Sequence, residues 1–166
     1  MSAARSPVAL THTWLTPPAI LHALGSFDLD PCACPLPRPW STAETMWTAE
    51  DRPLERAWPV TARVWLNPPF GPRSLLDAFM QKLVDHGRGT ALLFARTETT
   101  TFRRFVWGSA RAVLFLYGRP HFHRPDGSRA KGNSGAPVVL AAYSASDAIL
   151  LQQSSLSGQF LTLRTA

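Results

Sequence analysis

Apolar residues fall along this chain in short blocks, each closed by glycine, proline or charge. Thr90–Ala95, Ala112–Tyr117 and Ala136–Tyr143 are near-continuous apolar runs with the length of strands buried on both faces. Arg63–Leu66 is shorter and stops at two consecutive prolines. Phe27-Asp28-Leu29-Asp30 alternates apolar with acidic and ends at Pro31, the pattern of a short strand running into a loop. Between these blocks the spacing changes. Leu75, Leu76, Phe79, Leu83 and Val84 recur at helical intervals, so Arg73–Asp85 reads as a helix closed by Gly87. Ala19–Leu24 reads as a short helix with Thr16 at its N-cap and proline near its first turn, and Thr99–Trp107 as another that ends at Gly108. Strands alternating with helices predict an α/β domain with a mostly parallel sheet.

Three stretches resist this reading. Met1–Thr13 is a loose leader. Cys32–Pro59 is irregular and proline-rich, long for a loop in a compact domain, and loops of that length are usually functional or mobile. Ser144–Ala166 carries a short helix or strand. Near His121–Gly127, the pair Asp126-Gly127 predicts the turn of an inserted hairpin.

Composition narrows the picture. A chain of 166 residues, 45% hydrophobic, suits one domain spanning 1–166 with an ordinary core. The net charge is +6, and most of the 17 Lys and Arg residues are Arg, which favours a polyanionic partner and suits phosphate recognition. Cys32 and Cys34 stand in a C-x-C spacing with no second pair, so neither a redox CxxC nor a tetrahedral zinc site is spelled out. The pair fits a reducing compartment, and no signal pattern or membrane-length apolar run is present. The expectation is a cytoplasmic protein with no metal and no membrane. Nothing in the sequence sets an oligomeric state.

The chemistry concentrates in Asn67-Pro68-Pro69-Phe70. Two prolines cannot continue a central strand, so the strand hands its last side chains to a rigid loop. There the amide oxygen of Asn67 and the carbonyl of Pro68 can accept from an exocyclic amine, and the ring of Phe70 can stack on the flat group that carries it. The same letters also serve as turn punctuation. Both this loop and Asp30-Pro31 lie at predicted strand C-termini, the edge where open α/β sheets bind ligands.

Four segments together carry a resemblance. They are Trp14-x-Thr16-Pro17-Pro18, Phe27 to Ala33 (Phe-Asp-Leu-Asp-Pro-Cys-Ala), Trp65 to Gly71, and Gly118-Arg119-x-x-Phe122-x-x-Pro125-Asp126-Gly127. In this order, over residues 14 to 143, the chain resembles the phage Dam-type DNA N6-adenine methyltransferases. The resemblance implies a Rossmann-like methyltransferase fold, S-adenosylmethionine as cofactor, and DNA as partner. It implies that Asn67, Pro68, Pro69 and Phe70 form the catalytic loop, holding an adenine flipped out of the duplex. For the cofactor it points to Asp30, Pro31 and Ala33, with Asp28, Trp14 and Thr16 beside them, and Glu50 or Asp51 as a carboxylate for the ribose. The chain departs from the wider pattern after Asp30-Pro31, where Cys34-Pro35-Leu36 stand in place of a Gly-rich turn. The short Asp30–Asn67 interval also predicts a truncated sheet lacking one or two of seven strands.

For DNA the candidates are Arg96, Arg103, Arg104, Arg119, His121, His123, Arg124, Arg129 and Lys131, with Arg119–Lys131 as a basic hairpin arm. Competing readings are a methyltransferase of RNA or of a protein amide, and a non-catalytic DNA-binding module on the same scaffold.

Overall fold

The computed structural model describes residues 14–164; the leader lies outside the described residues. Its centre is a seven-stranded sheet in the order β2-β1-β3-β4-β6-β5-β7. The strands are β1 (Leu29–Asp30), β2 (Thr45–Met46), β3 (Val64–Leu66), β4 (Gly89–Phe94), β5 (Ala112–Leu116), β6 (Val138–Ala142) and β7 (Gly158–Thr162). The helices are α1 (Pro18–Leu24), α2 (Arg73–His86), α3 (Thr100–Phe102) and α4 (Ala145–Gln153). α3 runs on without a break into a π-helical turn, Arg103–Trp107. No described helix is long and apolar enough to cross a membrane.

β1 pairs in parallel with β2 and β3, and β3 with β4. β6 enters between β4 and β5 and runs against both, and β7 runs against β5. The parallel half therefore follows expectation and the other half does not. The reason lies in the connection. Parallel neighbours need a crossover, usually a helix, whereas the chain from Tyr117 to Pro137 contains none and returns β6 alongside β5 in the opposite sense. The sheet also holds one strand that the apolar pattern did not announce, β2, and one, β7, in Ser144–Ala166, where a short helix or strand was expected and α4 and β7 both form. β2 is only two residues long, inside the stretch expected to be irregular, and β7 is half-exposed with no clear alternation. With both counted, the sheet reaches seven strands, where one or two were expected to be absent.

Both faces are covered, and a period of two decides which residue goes where. Val64, Leu66, Ala91, Leu93, Val113, Val139 and Ala141 point to one core, where Phe79, Met80 and Leu83 of α2 meet Phe105 and Val106 of the π turn. Trp65, Leu92, Leu114, Val138, Leu140 and Ala142 point to the other, where α1 contributes Ile20, Leu21 and Leu24, and α4 contributes Leu151. Strands buried on both faces need apolar residues at every position, which is why the central runs read as continuous.

Gly89 opens β4 with φ 142°, and a Cβ there would stand 2.3 Å from the carbonyl oxygen of Val64. Only glycine lets β3 and β4 close at that point. Its N–H donates to Asp147 Oδ2 at 2.7 Å, tying the strand to the start of α4.

From β1 the chain steps outward to β2, then crosses back to β3 on the other side. The loops after β1 and β3 leave the sheet in divergent directions, and a crevice opens between them. This is the switch point where open α/β sheets take ligands.

Candidate active site

A cavity of about 410 Å³ occupies that crevice. Pro31, Cys32 and Ala33 come from the loop after β1, and Asn67–Phe70 from the loop after β3. Arg52–Glu55, beyond β2, form a third side; Leu75 and Phe79 of α2 and the indole of Trp14 complete it. The walls are mainly proline, alanine, leucine and aromatic carbon, with Arg52, Glu55 and Asn67 as the polar points. This is the make-up expected of a site for a small, partly apolar ligand.

Asn67 sits at the end of β3, where the prolines stop the strand. Its Nδ2 donates to the Trp14 carbonyl at 3.0 Å and to Thr16 Oγ1 at 3.3 Å. Its Oδ1 is buried and has no hydrogen-bond partner among the described residues. A buried acceptor left empty is costly in a native fold, of the order of 1–3 kcal/mol, and the residue that carries this one lines the larger cavity. Thr16 is almost fully buried. It does not cap α1, whose N-cap is Pro17 with no side-chain hydrogen bond. Its hydroxyl is engaged by Asn67 instead.

A second cavity of about 280 Å³ adjoins the first, sharing Trp14 and Phe70 as common wall. Phe94 and Phe122 give it further aromatic surface, and Arg124, Lys131, Asn133 and Ser134 its polar side. Phe70 stacks on Phe94 with ring centroids 4.3 Å apart and planes 23° off parallel. One face of Phe70 is therefore supported by Phe94 while the ring still lines both cavities.

The aspartates take up other work. Asp30 is 2% exposed. Its Oδ1 accepts from Cys32 N–H at 2.8 Å and its Oδ2 from the Thr42 hydroxyl, so the carboxylate folds the loop that bears Pro31–Ala33. It is absent from the cavity lining, and Pro31 and Ala33 line it in its place. Burial pushes the Asp30 carboxyl up to about 6, against the opposing pull of the Thr42 and Cys32 hydrogen bonds and the Arg38 charge. Asp28 precedes β1 at the opposite edge of the sheet, where its Oδ2 accepts from Arg63 N–H at 2.6 Å. It is a strand clamp, away from the crevice. Asp51 closes a capping box with Thr48 around a single 3₁₀ turn, Ala49–Asp51. The acidic residue that lines the cavity on this side is Glu55, whose exposed carboxylate pairs with Arg52 at 3.6 Å, and neither Glu50 nor Asp51 lines it.

The Tyr117–Pro137 connector is not a pair of strands. A single antiparallel bridge joins His123 to Arg129, closed by Arg124 N–H to Ser128 O and tightened by Asp126, whose Oδ1 accepts from Ser128 N–H at 2.8 Å. A second bridge joins His123 to Leu15. A Cβ at Gly127 would lie 3.0 Å from Pro39, so the turn packs on the loop after β1 rather than standing free. Arg124 and Lys131 line the second cavity, and both are exposed, as are Arg119 and Arg129. Arg119 donates to Gly135 O at 3.2 Å, which pins the base of the connector. His121 and His123 are half-buried. His121 Nδ1 contacts Ala130 O at 3.2 Å, and the His123 ring meets Trp40 edge-on, so both serve the connector's own packing.

Arg96 is exposed just beyond β4, its guanidinium 5.9 Å from the Phe94 ring centroid, on the same edge as Asn67. Arg103 and Arg104 are different. They ride the π turn that packs on α2, and Arg104 donates to Gln81 Oε1. That layer covers the face opposite the one where Phe122 of the connector is buried, so the structure does not bring these two together with the other cations.

Sequence reasoning missed Cys32, Arg52–Glu55, Phe94 and Phe122 as parts of the two cavities. Phe94 was legible only as a buried strand residue, since a partner for Phe70 cannot be picked by spacing. Arg52 has φ 52°, a left-handed backbone that its letter does not announce.

Comparison of the chain with protein-family models, with curated proteins and with solved structures returns no match. What the fold and site define by themselves is an α/β protein with a mixed seven-stranded sheet and a two-chambered crevice at its switch point.

Proposed function

We propose that this protein is an S-adenosylmethionine-dependent DNA methyltransferase that modifies the N6 amino group of adenine. The observation that carries the reading is Asn67, which lines the larger of two chambers that share Trp14 and Phe70 and whose buried Oδ1 has no partner among the described residues. Amino methylation needs two bound reactants that meet at one point, with a neutral acceptor beside the amine.

The larger chamber fits the cofactor. Its apolar walls suit an adenosine, Trp14 offers a ring face, and Arg52 and Glu55 offer one charge of each sign to a zwitterionic ligand with ribose hydroxyls. When bound, S-adenosylmethionine supplies a methyl group on an electrophilic sulfonium and departs as the neutral thioether. The smaller chamber suits the flipped base. Phe70, braced by Phe94, provides a stacking face, worth roughly 1–3 kcal/mol for a base.

Asn67 Oδ1 accepts a hydrogen bond from the N6 amine. That contact orients the nitrogen lone pair toward the larger chamber and stabilises the positive charge that grows on nitrogen as the new C–N bond forms. No strong base is required in the site, because the methylated amine is acidic and gives its proton to solvent. Arg124 and Lys131 at the smaller chamber, with Arg96, Arg119 and Arg129 around it, provide the cations for DNA phosphates. This basic rim favours nucleic acid over a protein amide as substrate.

The deciding experiment is transfer of a labelled methyl group to unmethylated DNA, followed by nucleoside analysis. Labelled N6-methyladenine is expected. Label in RNA or protein alone, or in no substrate although S-adenosylmethionine binds by calorimetry, overturns the assignment.

A further inference from the structure

We infer that Thr16 is a positioning residue for the catalytic amide, acting through Asn67 rather than on either ligand. The inference rests on the proposed methyl transfer for its kinetic consequence but not for its geometry. Thr16 is 1% exposed and lines neither cavity. Its Oγ1 accepts from Asn67 Nδ2 at 3.3 Å, while the Trp14 carbonyl accepts from the same nitrogen at 3.0 Å. Both N–H bonds of the amide are therefore spent on the Trp14–Thr16 segment, and Oδ1 is the end left over. Turning the amide by half a rotation would set Oδ1 against the Trp14 carbonyl, acceptor facing acceptor, and strand the NH2 group where an amine must be received.

The support is itself fixed from both sides. Pro17 and Pro18 follow Thr16 and restrict its backbone. Leu15 precedes it and exchanges two backbone hydrogen bonds with His123, Leu15 N–H to His123 O at 2.8 Å and His123 N–H to Leu15 O at 3.0 Å. The hydroxyl of Thr16 thus belongs to a clamped strand segment. The sequence made Thr16 a helix cap or a cofactor contact, and the geometry gives it a different task.

Thr16→Val keeps the branched shape and removes the acceptor. The expected result is a fall in kcat of roughly 10- to 100-fold, as for a small misplacement of a reacting partner. KM values for DNA and S-adenosylmethionine should stay within about twofold, and Thr16→Ser should restore the rate. A parallel measurement needs no activity. In 15N-labelled wild-type protein the two Asn67 side-chain amide protons, assigned by their loss in Asn67→Ala, should be distinct and slow to exchange, and Thr16→Val should make one of them fast. A folded Thr16→Val protein with wild-type kcat, or one whose defect is confined to cofactor affinity, overturns the inference. Should that variant not fold, rapidly exchanging Asn67 amide protons in the wild type overturn it equally. Protected amide protons in a protein that methylates no DNA would sink the methyltransferase reading and leave the positioning role standing.

Discussion

Arg63 and Asp147, 84 residues apart, form a buried ion pair with Nε 2.6 Å from Oδ1. Asp147 is fully buried, and its other oxygen accepts from Gly89 N–H and the Ser144 hydroxyl. Arg63 also donates to the carbonyls of Leu24 and Ser26 and lies over the Phe27 ring. The pair binds the ends of α1, β3, β4 and α4 at the edge of the sheet opposite Asn67. Asp147→Asn removes the charge that Arg63 needs inside the protein. A loss of about 3–5 kcal/mol in unfolding free energy is expected, read from the urea midpoint. Since the pair is remote from both cavities, S-adenosylmethionine affinity at low temperature should change little.

Asn67→Ala should cut methyl transfer by roughly 100-fold or more, the scale seen when one preorganised polar contact to developing charge is lost. Cofactor binding by calorimetry should persist, because the larger chamber is walled chiefly by other residues. Wild-type rates in this variant would remove Asn67 from the chemistry.

The cations divide into those that face the second cavity and those that do not. Exchanging both Arg124 and Lys131 for alanine should lower the slope of log affinity against log salt for duplex DNA by about 2, close to 0.9 per lost phosphate contact. Arg104→Ala should leave that slope unchanged, as its guanidinium is turned to Gln81 on α2. Filter binding across a salt series separates the two.

Asp30 gives the fold a pH dependence of unusual sign for a carboxyl. Its folded-state value is about 6, raised from 3.8 by burial. The folded protein therefore binds this proton more tightly than the unfolded chain does. The associated stability is present below the unfolded value and is lost as pH rises through about 6. The shift corresponds to a few kcal/mol at most, at about 1.4 kcal/mol per unit. Asp30→Asn removes the titration, so its stability relative to wild type should increase between pH 4 and pH 7 in urea titrations. A constant difference over that range would show that Asp30 does not titrate there.

Much of this architecture can be read from the letters, and the failures have causes. Thr90–Ala95 and Arg73–Asp85 are legible because their burial is complete on two faces or regular on one; β4 and α2 lie within a residue of those bounds. β2 is invisible because two residues carry no period. It exists through long-range hydrogen bonds, Thr45 N–H to Asp28 O and Trp47 N–H to Asp30 O. The direction of β6 is also hidden, since an apolar run does not say which way it points. At the site, Asn67–Phe70 stood out because prolines at the end of a strand are chemically conspicuous. Asp30 and Asp28 sit at the expected strand, but their carboxylates accept hydrogen bonds from Cys32, Thr42 and Arg63 and line neither cavity. A carboxylate's spacing does not tell whether it faces a ligand or its own backbone.

Trp14, half-exposed between the chambers, also gives the protein a built-in optical reporter. Of the other five tryptophans, Trp65 is wholly buried and Trp58 nearly so, while Trp40, Trp47 and Trp107 are partly buried and line neither cavity. Trp14 borders both cavities, so a molecule entering either one should change the surroundings of its indole. Two ligands of unlike chemistry should therefore each perturb the same emission, and Trp14→Phe should silence both signals. Occupancy of each chamber can then be followed in one cuvette, before any product has formed.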